Sequence, residues 1–191
     1  MSNFQQELKL TADKVNAFLK SYFKNQSADN KLYEAMEYGL FSGGKMIRSY
    51  LVQSACKIFD IDEKKYIPIA AAVECVHSYS LIHDDLPSMD NDDFRRGKES
   101  THKAYGEYTA ILAGSSLLTL AFEMISDPKF EIDQDTKVKI IHALSSSSGH
   151  LGIAGGQFFD LSLKKSEVDK ETIIDMQNKK TGALMGFCTE V

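Results

Sequence analysis

Five aspartates fall within ten positions, at 84, 85, 90, 92 and 93, in the stretch His83-Asp84-Asp85-Leu86-Pro87-Ser88-Met89-Asp90-Asn91-Asp92-Asp93-Phe94-Arg95-Arg96-Gly97. They follow an apolar segment instead of standing in a polar tail. Carboxylates crowded at the end of a helix repel one another and face the negative end of its dipole. Without a counter-charge, some of them would hold protons. A hard divalent cation relieves that repulsion, and Mg²⁺ takes oxygen ligands of this kind, with waters and substrate phosphates completing its shell. The plain alternative is a solvated acidic loop. Two features argue against it. His77, Ser80 and Asp84 are spaced to share one helix face leading into the cluster. Arg95 and Arg96 follow at once and offer guanidinium forks for phosphate oxygens. A calcium loop is excluded, because Phe94 and Arg95 stand where an oxygen ligand and the turn glycine belong.

A second chemical stretch is Gly39-Leu40-Phe41-Ser42-Gly43-Gly44-Lys45-Met46-Ile47-Arg48. It nearly matches a nucleotide P-loop, but Met46 replaces the metal-binding hydroxyl and the preceding segment is helical. Glycines before a helix still leave N–H groups free, and Lys45 and Arg48 add positive charge. That is an anion site, for a phosphate or diphosphate, or else a glycine turn with two solvent-facing cations. Weaker signals are Gln157 and Asp160, three apart on one helix face, and Lys180 in Asn178-Lys179-Lys180-Thr181-Gly182. His83, His102, His142 and His150 form no metal-ligand spacing, and no nucleophile arrangement stands out.

The elements that must hold these groups read as helices. With 12 Gly and 3 Pro in 191 residues, breakers are too few for a turn-rich β fold. Apolar periodicity predicts a helix over Phe4 to Leu19, one over Leu32 to Leu40 and one over Ile47 to Ile58. A long helix is expected from Ile67 to Leu86, with Pro68 in its first turn and Pro87 ending it. Further helices are expected over Tyr108 to Ser126, Asp135 to Ser148, Gly152 to Lys165 and Glu171 to the end. No segment alternates like a strand. The expectation is all-α, a single domain over 1–191, with helices joined by short loops.

Composition narrows the class. A net charge of −5 with no basic stripe argues against nucleic acid. Three Cys without pairing motifs fit reduced thiols in a cytoplasmic protein. No signal peptide is visible at the N-terminus. The uncharged stretch Tyr108 to Phe122 is broken by Thr109, Gly114, Ser115, Ser116 and Thr119, so it reads as a core helix and not a membrane span.

Together these motifs resemble the trans-type polyprenyl diphosphate synthases, the class that includes bacterial farnesyl and geranylgeranyl diphosphate synthases. The matching elements are Gly43-Gly44-Lys45 with Arg48, Asp84-Asp85 with Asp90 and then Arg95-Arg96-Gly97-Lys98, Gly155-Gly156-Gln157 with Asp160, and Lys180-Thr181-Gly182-Ala183-Leu184. They occur in family order. The resemblance implies an isoprenoid synthase fold with helices around a deep cavity. It implies that Asp84, Asp85 and Asp90 hold Mg²⁺ against an allylic diphosphate, which Arg95 and Lys180 also grip. Gly44, Lys45, Arg48, His77 and Arg96 would hold isopentenyl diphosphate, and Thr181 and Gln157 would lie near the developing allylic cation. Tyr79 with the small Ser80, before the expanded aspartate motif, resembles the farnesyl type and implies a C15 product; ordinary helix packing is the other reading of Tyr79. The family is usually dimeric, which implies a homodimer.

The family's second aspartate-rich motif has no counterpart, since nothing after Lys180 contains paired aspartates. The expectation is a prenyl transferase of this family, supplied as its N-terminal portion or completed by another chain, with an exposed apolar groove. Two other readings stay open: a partner subunit or remnant that only binds diphosphate, and a class I terpene cyclase.

Overall fold

Helix accounts for nearly all of the regular structure in the computed structural model, which describes residues 3–24, 30–163 and 169–190. The chain forms two units, Met1–Glu131 and Ile132–Val191. The first holds α1 (Asn3–Lys24), α2 (Lys31–Leu40), α3 (Ile47–Ile58), α4 (Glu63–Asp84), strands β1 (Phe94–Arg95) and β2 (Lys98–Glu99), α5 (Thr101–Tyr105) and α6 (Glu107–Ser126).

Helix α4 is the hub of this unit, because α1, α2, α3 and α6 all pack on it. Ala70, Ala71, Ala72, Val73, Cys75 and Val76 are 0% exposed, so the helix is buried all round and has no amphipathic stripe. The alanines let neighbouring helices approach, and each buried Val or Ile contributes about 1.5–3 kcal/mol. The helix starts four residues earlier than its apolar pattern predicts. Asp62 accepts from the Lys64 N–H at 2.8 Å, and Glu63 opens the first turn. Pro68 therefore lies in the second turn, inside the helix, and not in the first. The helix also ends earlier, at Asp84, with the Asp85 N–H bonded to the Leu81 carbonyl at 3.2 Å and Leu86 already turning away. The imidazole Nε2 of His83, 3.1 Å from the Ile111 carbonyl, ties this end to α6.

Helix α6 is 20 residues long, longer than the uncharged stretch implies, and by length and composition alone it is able to cross a membrane. Half of its apolar window is buried, and it packs on α2, α4 and α5. The hairpin after the acidic loop corrects the expectation of no strands. Phe94 pairs with Glu99 and Arg95 with Lys98. Arg96 (φ 54°) and Gly97 (φ 79°) fill the two turn positions, both left-handed as a two-residue hairpin requires.

The second unit holds α7 (Gln134–Ser148), α8 (Ile153–Ser162), α9 (Lys170–Gln177), a π-helical turn at Asn178–Gly182, and α10 (Ala183–Glu190). Helix α8 thus stops short of Lys165, and the predicted terminal helix is interrupted by the wider turn. Helices α7 and α10 pack together, with Leu144, Leu184, Phe187 and Cys188 buried. Helix α8 meets the π turn at Gly156, where a Cβ would stand 2.2 Å from the Lys180 main-chain nitrogen. No disulfide joins Cys56, Cys75 and Cys188, and all three are buried.

Candidate active site

The first unit carries two charged devices along α4. One is cationic. Gly43 and Gly44 turn at φ 96° and 136°, and α3 begins directly after Met46. The Arg96 guanidinium reaches back from the hairpin and lies over Gly44, so close that a Cβ there would be 2.5 Å from its nitrogen. Arg48 is half-buried, and Lys45 is exposed. His77 faces this group from α4. Burial, and then the fields of Arg48, Arg96 and Arg95, push its imidazole down to about 3. His77 is therefore neutral near pH 7 and adds no charge to this group. The sequence-predicted set of Gly44, Arg48, His77 and Arg96 is thus brought together. A groove of about 420 Å³ runs beside Gly44 and Lys45, lined by Phe4, Gln5, Leu8, Lys9 and Ala12.

Two residues of this device were not anticipated. Glu74, one turn before His77, is 5% exposed, and its Oε1 accepts from the N–H and Oγ of Ser49 at 3.1 and 2.7 Å. Burial pushes its carboxyl up, while the Ser49 bonds and then Arg48 and Arg96 oppose that rise. The available signal was a lone carboxylate in the apolar run Ala70-Ala71-Ala72-Val73-Glu74-Cys75-Val76.

The second device is acidic, at the C-terminal end of α4. Asp84 is half-buried and Asp90 exposed. The loop folds back so that the Asp90 N–H donates to the Asp84 carbonyl at 2.9 Å and the Asp92 N–H to the Asp85 carbonyl at 3.2 Å. Asp85 is 2% exposed and accepts from Arg95, whose Nε lies 2.8 Å from both carboxylate oxygens and whose terminal nitrogen is 2.5 Å from one of them. This bond, together with the fields of Asp84 and Asp92, raises the Arg95 pKa against the effect of burial. Among the described residues no three His, Cys, Asp or Glu side chains are gathered as a metal cage. The donor chemistry is nonetheless all hard oxygen, and the loop bond joins the Asp84 and Asp90 main chains. These two fit a cation that keeps waters and phosphate oxygens as its other ligands. Asp85 is engaged by Arg95.

Tyr79 is 8% exposed and meets His83 edge-on at 5.5 Å. Burial and the Asp84 charge raise its hydroxyl pKa. The Ser80 Oγ donates to the His77 carbonyl at 2.8 Å, so the hydroxyl is turned onto its own helix.

In the second unit, Lys180 pairs with Asp160 at 2.6 Å, which joins the π turn to α8. Gln157 is 7% exposed, and neither amide atom has a hydrogen-bond partner among the described residues. Thr181 lies in the π turn and is exposed. An open groove of about 410 Å³ on this unit is lined by His150, Ala154, Gly155, Phe158, Phe159 and Lys179.

A cationic turn and an acidic turn stand along one buried helix of this all-α chain, and comparison with known proteins gives the chain a family. Residues 29–191 match the polyprenyl synthetase family, and the chain belongs to it. It is 40% identical over 171 residues to a farnesyl diphosphate synthase of Bacillus subtilis, covering 89% of this chain and 58% of that protein. It is 40% identical over 185 residues to a farnesyl diphosphate synthase of Escherichia coli, covering 96% of this chain and 62% of the relative. The structure of a geranyltransferase from Legionella pneumophila superimposes with a TM-score of 0.92 at 40% identity, covering 97% of this chain and 66% of that one. The fold is the isoprenoid synthase fold. The chain spans 58% and 62% of the length of the two synthases.

Proposed function

We propose that this chain takes part in head-to-tail condensation of isopentenyl diphosphate with an allylic diphosphate, dimethylallyl or geranyl, to give farnesyl diphosphate. The observation that carries this reading is the separation of two anion-handling devices on α4. Arg48 and Arg96 flank Gly44 and His77, while Arg95 and three aspartates stand at the helix end. A terpene cyclase has one diphosphate to hold and does not explain the first device, and the relatives named above are synthases.

In this reading Lys45, Arg48 and Arg96 neutralise the diphosphate of isopentenyl diphosphate, and the neutral His77 hydrogen-bonds to it. Anchoring that end orients the double bond for attack. Arg95, oriented by Asp85, takes the departing allylic diphosphate and stabilises the charge that grows as the C–O bond ionises. Asp84 and Asp90 would hold Mg²⁺, which when bound supplies further neutralisation of that leaving group. The allylic cation is captured by the double bond, and loss of a proton completes the new C–C bond. For Lys180, Thr181 and Gln157 we keep the role that the motif implies: contact with the allylic diphosphate and its cation. The unpartnered Gln157 amide is a dipole available for that contact. Tyr79, below Asp84, would limit the product to C15. A homodimer is the assembly that the family implies, and the cytoplasm the compartment that the buried, unbridged thiols fit.

The test is incubation of the chain with radiolabelled isopentenyl diphosphate, dimethylallyl diphosphate and Mg²⁺, followed by chromatography of the products. A labelled C15 diphosphate is the expected result. Absence of any extended product, with isopentenyl diphosphate still bound, would reduce the function to diphosphate binding.

A further inference from the structure

Helix α3 begins without a cap of its own. Met46 occupies the N-cap in the left-handed region, at φ 48°, and makes no side-chain cap bond; the first turn carries no acidic residue. The missing acceptor comes from another helix. Glu74 on α4 accepts from both the N–H and the Oγ of Ser49, in the first turn of α3, and both residues are buried. A carboxylate at a helix N-terminus meets free N–H groups and the positive end of the dipole, which offsets part of its burial cost. The Ser49 Oγ, whose single proton is directed to Glu74 at 2.7 Å, also lies 3.2 Å from the Ala70 carbonyl one helical turn earlier on α4. Arg48 immediately precedes Ser49, and the path of this turn decides where its guanidinium stands relative to Arg96 and Gly44.

We propose that Glu74 is a positioning residue for the cationic device: through Ser49 it pins the first turn of α3 to α4 and so sets Arg48 beside Arg96 for the diphosphate. This rests on reading the pocket as the isopentenyl diphosphate site. Glu74 touches no substrate; it acts through Ser49 and Arg48.

Calorimetric titration of the full chain with isopentenyl diphosphate, and separately with dimethylallyl diphosphate plus Mg²⁺, tests the assignment. Glu74→Ala should weaken isopentenyl diphosphate about tenfold, the equivalent of one charged hydrogen bond. It should leave the allylic ligand unchanged. Glu74→Gln keeps an acceptor toward Ser49 and should recover most of the loss. Ser49→Ala, which removes only the hydroxyl bond, should weaken isopentenyl diphosphate about threefold. That variant carries the test if Glu74→Ala does not fold. Arg48→Ala is the control. If Arg48→Ala loses isopentenyl diphosphate while Glu74→Ala and Ser49→Ala bind it like the parent, the positioning role is wrong and the site reading stands. If Glu74→Ala weakens both ligands equally, the residue is merely structural. If Arg48→Ala and Lys45→Ala bind isopentenyl diphosphate undiminished, the site reading itself fails and the proposal falls with it.

Discussion

The Arg95 guanidinium grips both carboxylate oxygens of Asp85, with Nε 2.8 Å from each. That pairing sets Asp85 apart from the other two motif aspartates in this structure. Asp85 fixes an arginine, while Asp84 and Asp90 are joined by a main-chain bond of 2.9 Å across the loop. Removing one partner of a buried ion pair costs about 3–5 kcal/mol, and somewhat less here because Arg95 is partly exposed. Asp85→Ala is therefore expected to lower the melting temperature by several degrees and to weaken pyrophosphate binding in the absence of metal. Asp90→Asn, on the exposed loop, should leave stability within about 0.5 kcal/mol and reduce Mg²⁺-dependent binding instead. Thermal denaturation and pyrophosphate titration with and without Mg²⁺ check both; an Asp85→Ala chain as stable as the parent would contradict that distinction.

Tyr79 sits one and a half turns before Asp84, about 7.5 Å along the helix axis, and is packed against His83. Tyr79→Ala should lengthen the product beyond C15 and cost about 3 kcal/mol of stability, as for other buried aromatics cut to alanine. Product chromatography at a temperature where the variant stays folded decides it. An unchanged product spectrum would leave Tyr79 with packing alone.

His77 gives the pH dependence a sign. Its folded pKa of about 3 lies below the ordinary value of 6.5. Between those values the unfolded chain binds a proton that the folded chain refuses. The stability present above pH 6.5 is thus lost as pH falls through this window, by at most about 1.4 kcal/mol per unit. Glu74 acts in the opposite sense: its raised pKa contributes stability that is complete below the usual carboxylate range and is lost as pH rises through the folded value. Urea unfolding between pH 4.5 and 8 should show a shallower acid limb in His77→Gln than in the parent. Parallel curves would mean that His77 is charged in the folded chain.

Gly156 makes a sharper stability prediction than Gly44. At Gly156 an added Cβ would strike the Lys180 main chain, which cannot swing away, whereas at Gly44 it would strike the end of the flexible Arg96 side chain. Gly156→Ala should cost about 2 kcal/mol or more through forced separation of α8 from the π turn. Gly44→Ala is strained in its own backbone by a φ of 136°, and should add to that stability cost a loss of isopentenyl diphosphate affinity, because the displaced Arg96 is a proposed ligand. Denaturant midpoints and calorimetric affinities separate the two effects.

Much of this was legible in the residue order. The helices follow the apolar period, and the glycine turn with Lys45 and Arg48, like the aspartate run with Arg95 and Arg96, is continuous in the chain and so visible as a motif; that Arg96 and His77 gather at Gly44 was implied only by the family resemblance. What escaped was non-local or too short to repeat. The Glu74–Ser49 bond joins positions 25 apart. The hairpin strands have two residues each, too few for alternation to register. The start of α4 was misplaced because the apolar signal was read from Ile67, whereas the capping residue Asp62 precedes it by more than a whole turn. The Arg95–Asp85 pairing was hidden because Asp85 was read as a metal ligand and Arg95 as a diphosphate ligand, and chemistry alone does not say which of two suitable partners an arginine takes.

The wide turn at Asn178–Gly182 places one surplus residue in an otherwise α-helical path. A bulge of this kind absorbs its extra residue, so the helix beyond it keeps the register it would have without it. Removal of one residue at the turn would let the segment close into plain α-helix, with Leu184, Phe187 and Cys188 still on the seam against α7. A single-codon deletion here should therefore be better tolerated than one in the middle of α7, where every later side chain of that helix would turn by about 100°.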